Sequence, residues 1–153
     1  MPATVVDSVI EMSYDSASGP MVPGLAGLSK LTFASGLPGF PEVRDFELSV
    51  LAEDFLPFAR LKSTDQPGVG FTVVAPGLLY PDYSIEIDEE DQEALGVRSS
   101  DDVVTIVMVT VPRPPATPSA NLLGPIVVNR FTGAAAQVVQ YHSSYRVAEA
   151  LPV

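Results

Sequence analysis

Carboxylates are the side chains most concentrated in one stretch of this chain, and they raise the first chemical question. Between Asp82 and Asp102 stand nine acids (Asp82, Glu86, Asp88, Glu89, Glu90, Asp91, Glu93, Asp101, Asp102) against one base, Arg98. Acids this dense can ligate Ca²⁺ or Mg²⁺ through oxygen. They can also supply an acid/base pair acting on a sugar, or form a solvated face that attracts a basic partner. The EF-hand spacing fails, because its sixth-position glycine and terminal glutamate are missing. Nothing in the pattern fixes two carboxylates across a cleft. The partner-steering face is the reading adopted, and a carboxylate- or metal-dependent hydrolase ranks below it.

The remaining catalytic inventory is thin. One histidine is present, His142, beside Ser143 and Ser144. A His–Ser hydrolase needs a positioned acid and a nucleophile on a strained G-x-S-x-G elbow, and the chain has no such elbow. Gly68-Val69-Gly70 lacks the third glycine and the following helix of a dinucleotide loop, so it reads as a tight turn. The absence of cysteine excludes a disulfide framework, a thiolate metal site and a cysteine nucleophile together. The expectation is a protein that is not an enzyme, with no cofactor and no metal.

Charge narrows the partners. With 19 acids against 8 Lys plus Arg, the net charge is −11. Phosphate backbones repel such a surface, so direct nucleic-acid binding is not expected. A basic protein would be attracted, and like copies held apart, so the free protein is expected to be monomeric. The N-terminal stretch has no basic n-region and carries Asp7; with no apolar run near the ~18 residues of a membrane span, a cytoplasmic protein that does not enter membranes is expected.

The elements that must carry these acids are short. At 46% hydrophobic residues over 153 positions, the chain can bury one core without disulfides. Residues 1–29, rich in Ser, Gly, Pro and Ala, read as a flexible N-terminal extension, and residues 30–148 as one domain. Strands are expected at Lys30–Phe33, Phe46–Leu51, Phe58–Lys62, Gly70–Val74, Ser84–Ile87, Val103–Val111, Leu122–Val128 and Ala135–Gln140, with a further one at Ser144–Val147. Phe46, Leu48 and Val50 alternate with Glu47 and Ser49, the period of a half-buried strand. Val103–Val111 differs, because it is almost wholly β-branched and apolar and so belongs in a centre buried on both sides. One helix is expected, Glu89–Leu95, with Asp88 as its cap and Gly96 at its end. Pro112, Pro114, Pro115 and Pro118 mark an extended loop. The fold class is therefore all-β, a small antiparallel β-barrel-like single domain with one short helix; a two-sheet β-sandwich is the alternative.

Several segments, in order, resemble the bacterial flagellar assembly factor family FliW. They are Leu31-Thr32-Phe33, Gly36-Leu37-Pro38-Gly39-Phe40, Pro57-Phe58 through Leu61 to Ser63, Gly70–Val74 with Pro76, and Tyr80-Pro81-Asp82-Tyr83. Val109-Thr110-Val111-Pro112, Gln137-Val138-Val139 and Tyr145-Arg146 follow the same order. The most specific segment is Asn121-Leu122-Leu123-Gly124-Pro125-Ile126-Val127-Val128-Asn129. Ala75 departs from the family's more usual polar residue. The resemblance implies a small β-barrel-like fold. It also implies binding to flagellin and to the small basic RNA-binding regulator CsrA, whose repression of flagellin translation such a factor relieves. A cytosolic flagellin chaperone without CsrA antagonism is the alternative function.

Candidate partner contacts cluster on the matched segments. Asn121 and Asn129 bracket an apolar strand, and each could satisfy backbone groups at a strand end or touch a partner. Leu122, Pro125 and Ile126 are core or an apolar patch. Pro125 within a strand pattern points to an edge or a bulge, and an edge could accept a partner's chain. Asp82 and Tyr83 open the acidic stretch, with Tyr83 read as an exposed anchor. Phe58 joins them through its matched segment, whereas Gly36, Pro38, Gly39 and Phe40 read as a turn.

Overall fold

Alternation of large apolar and polar residues closes seven of the short strands into a ring. The computed structural model describes residues 4–7 (as backbone), 28–37, 39–50 and 57–152. Its strands are β1 (Thr4–Asp7), β2 (Lys30–Phe33), β3 (Asp45–Val50), β4 (Ala59–Ser63), β5 (Gly70–Val74), β6 (Ser84–Ile87), β7 (Val103–Thr110), β8 (Ser119–Ala120), β9 (Ile126–Asn129), β10 (Ala134–Gln137) and β11 (Glu149–Ala150). The helix α1 spans Glu89–Leu95. Hydrogen bonding runs β7–β5–β4–β3–β2–β10–β9 and returns from β9 to β7, which closes a barrel. This closure removes the sandwich alternative. β8 and β11 continue outward from β7, and β1 pairs with β6 in a separate two-stranded ribbon.

One pairing corrects the antiparallel expectation. β10 lies parallel to β2, with Ala134 opposite Thr32 and Ala135 opposite Phe33. The reason is parity: strands that alternate in direction around a ring of odd number must meet once in parallel. Here the seam falls between the first and last strands of the ring.

Two apolar cores share one wall. Inside the barrel pack Leu31, Phe33, Phe46, Leu61, Ile106 and Ile126, among others; each fully buried side chain of this size contributes about 1.5–3 kcal/mol. Outside it, Val103, Val107 and Val109 of β7 meet Tyr83, Ile85 and Ile87 beneath α1. β7 supplies Val104 and Ile106 to the inner core and the alternate residues to the outer one. Its two-sided apolar composition follows from that double duty.

Other expectations shift at their ends. The Leu122–Val128 strand begins only at Ile126, Ala135–Gln140 becomes Ala134–Gln137, and Ser144–Val147 is not a strand. Thr4–Asp7, within the stretch read as an extension, pairs with β6. Residues 1–3 and 8–27 of that stretch, together with Pro38 and Leu51, lie outside the described residues.

The parallel seam depends on Gly133, whose φ is +82° and whose position leaves no room for a Cβ against the Lys30 carbonyl. Its carbonyl accepts the Thr32 N–H at 2.9 Å. Gly133→Ala is expected to destabilise the fold by at least about 1 kcal/mol from the left-handed backbone alone, with the clash adding to it. Chemical denaturation would measure the loss; an unchanged midpoint would show that the seam tolerates displacement.

Candidate functional site

The segment Asn121–Asn129 is an excursion followed by a strand. Ala120 stands opposite Val109 and Ile126 opposite Ile106, so Asn121–Pro125 bulge out against only Val107 and Met108. The excursion's backbone groups bond to the C-terminal segment. Leu122 and Leu123 donate to the Arg146 carbonyl at 3.0 and 3.2 Å, Leu123 accepts from Gln140 N–H at 2.8 Å, and Pro125 accepts from Val138 N–H at 2.9 Å. Gly124 packs against the Gln137 side chain, whose amide donates to the Gly124 carbonyl at 2.9 Å; a Cβ at this position would displace that amide.

This geometry reassigns most of the expected contacts. β9 pairs with β7 on one side and β10 on the other, so it is no edge. Ile126 lies in the barrel core and Leu122 in the outer core, and Pro125 is buried. Asn121 is half-buried, its Oδ1 accepting the Gly124 N–H at 2.9 Å. Asn129, only 4% exposed, donates from Nδ2 to the Leu95 carbonyl at 2.9 Å. Its Oδ1 accepts from the N–H groups of Phe131 and Thr132. Tyr83 is 2% exposed rather than a surface anchor. Its hydroxyl donates to the Leu122 carbonyl at 2.6 Å, and its ring packs on Tyr145. Burial pushes its phenol far up, with Tyr145 adding to the shift. Phe58 is half-buried against the outer core. Of these candidates, only Asp82 is exposed.

The surface hollow lies one layer away, where α1 crosses the outer face of β10. Two adjoining hollows share Asp91 and Gln137. The first, about 510 Å³, is bounded by residues 34–37, Gly39 and Pro41, the helix residues Ala94 and Leu95, and Ala134–Gln137. The second, about 430 Å³, is bounded by Glu86, Asp88, Asp91 and residues 137–142. Both walls are held by amides. Asn129 ties down the helix end at Leu95, and Gln140 bonds Glu86 at both its N–H (2.8 Å) and its carbonyl (3.1 Å). Asp88 caps the helix by accepting the Asp91 N–H at 2.9 Å, and Gly96 ends it with φ 72°. The carboxyl of Asp91 is held above the ordinary aspartate range, first by burial, then by the neighbouring Asp88 and Glu90.

Glu86, Asp88 and Asp91 of the acidic stretch line this hollow, although none of them is among the expected partner contacts. Its alanine lining gave no signal beyond the oddity of Ala134-Ala135-Ala136 in a strand, where alanine is depleted. Among the described residues no three His, Asp or Glu side chains gather as metal ligands, and no helix is long and apolar enough to cross a membrane.

Two outcomes test this arrangement. Tyr83→Phe leaves the Leu122 carbonyl without its buried donor and is expected to cost about 1–3 kcal/mol in chemical denaturation; an unchanged midpoint would contradict the bond. For Asp91, a raised folded pKa means that the fold favours the protonated form, so its charge opposes folding once pH passes the ordinary value of 3.8. Asp91→Asn should therefore raise the thermal midpoint at neutral pH, and the gain should vanish below that value. A gain independent of pH would refute the electrostatic cause.

The sequence model of the FliW protein family matches residues 25–151. Over 115 residues the chain is 38% identical to the flagellar assembly factor FliW of Bacillus subtilis, covering 75% of this chain and 80% of that one. It is 33% identical over 115 residues to the flagellar assembly factor FliW of Caldanaerobacter subterraneus subsp. tengcongensis, covering 75% and 77%. A crystal structure of the flagellar assembly factor FliW superposes with a TM-score of 0.73 at 32% identity, over 80% of this chain and 84% of that one. The family model spans most of the chain, the relatives share a third or more of its residues over three quarters of its length, and the fold superposes on theirs; the chain belongs to the FliW family of flagellar assembly factors.

Proposed function

We propose that this protein acts in the cytoplasm, as a monomer when free, by binding two proteins in alternation: the basic translational regulator CsrA and flagellin. Binding CsrA relieves its repression of flagellin translation. Accumulated flagellin occupies the factor and frees CsrA; secretion of flagellin returns the factor to CsrA. The observation that carries this reading, beyond family membership, is the acid-rimmed hollow on a chain of net charge −11. Carboxylates at the mouth of a concave surface raise the local concentration of a basic partner and speed its encounter.

Purified protein incubated with immobilised CsrA and, separately, with flagellin tests the reading. Both should be retained at low-micromolar concentration and low salt, CsrA capture should weaken as ionic strength rises, and added flagellin should displace CsrA. Retention of flagellin without any CsrA would reduce the protein to a flagellin chaperone. Retention of neither would end the proposal.

A further inference from the structure

Within the described residues, large apolar side chains on the outside mostly stand singly. Val111 lies beside the proline loop, Phe131 on the β9–β10 turn, and Val147 before β11; such isolated residues are ordinary. Tyr141 is different. It is 82% exposed and stands in the lining of the acidic hollow, next to His142. An exposed tyrosine at the mouth of a concavity combines a large contact area with little rotamer entropy, the profile of an interface anchor. Beside carboxylates, its ring face also suits a Lys or Arg side chain.

The adjoining hollow has the opposite character. It is lined by the small side chains of Ala94 on the helix and of Ala134 and Ala136 on β10, which leave depth where a leucine or phenylalanine would fill the space. About 510 Å³ accommodates several apolar side chains and falls within the range of ordinary ligand sites. The two hollows share Asp91 and Gln137, so they lie side by side and together make a groove with an apolar half and an acidic half.

We infer that this groove is the docking site for a segment of a basic partner protein that presents a bulky apolar side chain to these alanines and Lys or Arg side chains toward Glu86, Asp88 and Tyr141. The inference rests on the proposed function and gives that function a place on the surface. Charge selects the occupant: a nucleic acid would be repelled by these carboxylates, and a second copy at net charge −11 would be repelled as a whole. The position of Asp91 agrees with this choice. Its charge is unfavourably placed in the free fold, and a cation from the partner would relieve it.

Three measurements decide the matter. Ala94→Trp, at an exposed helix position, fills the apolar half and should weaken capture of CsrA, the basic partner, roughly tenfold or more with an unchanged thermal midpoint. Glu86→Gln, whose backbone bonds to Gln140 do not involve the changed group, should flatten the salt dependence of capture. A short synthetic peptide of alternating Leu and Lys pairs, titrated into isotopically labelled wild-type protein, should shift the amide signals of Ala94, Ala134–Gln137 and Tyr141. Capture by folded Ala94→Trp within roughly twofold of wild type would overturn the groove while leaving the regulator reading intact. Peptide shifts confined to other surfaces would also overturn it. If the wild-type protein captures neither partner but the peptide maps to the groove, the groove stands and the identity of its partners falls.

Discussion

β7 is the constraint on which the rest of this structure depends. One strand provides a wall to two cores, sending Val104 and Ile106 inward and Val103, Val107 and Val109 outward. The barrel closes only because β9 pairs along its first half, and the outer layer sits only because its other face is apolar. A charged residue on either face would leave one core missing a wall. Thr105 marks the limit of what the strand tolerates: it is buried, and its hydroxyl has no hydrogen-bond partner among the described residues.

From that wall outward, side-chain amides rather than further sheet define the surface. Asn129 leaves the barrel at the end of β9 and secures the end of α1. Gln140 stands in for a neighbouring strand beside β6, bonding Glu86 as a peptide would. The Asn121–Pro125 excursion grips the C-terminal segment, with Tyr83 beneath it. These bonds position the helix over β10 at a separation that leaves a groove. The most distinctive sequence segment of the family thus stands directly behind the groove, bonding its lining residues Leu95 and Gln137 as their support.

Local features were legible in the sequence because their causes are local. The cap at Asp88, the stop at Gly96 and the strand Gly70–Val74 depend on residues within a turn of themselves, and they stand where the sequence places them. The double burial of β7 was equally plain from its β-branched run. What could not be read depends on closure. The parallel β2–β10 seam is a property of a ring with an odd number of strands. Tyr83 looks exposed among acids and prolines, yet a carbonyl far along the chain satisfies its hydroxyl and lets it be buried. The alanines of β10 acquire meaning only once a helix lies beside them.

The proposed docking of a basic partner in the groove between α1 and β10 can be tested directly. The absence of cysteine allows a single reporter to be placed there, a solvent-sensitive fluorophore on Ala94→Cys. Adding CsrA at low salt should shift its emission and shield it from an aqueous quencher. A probe that stays fully quenchable while CsrA is bound would place the partner elsewhere and contradict the proposal.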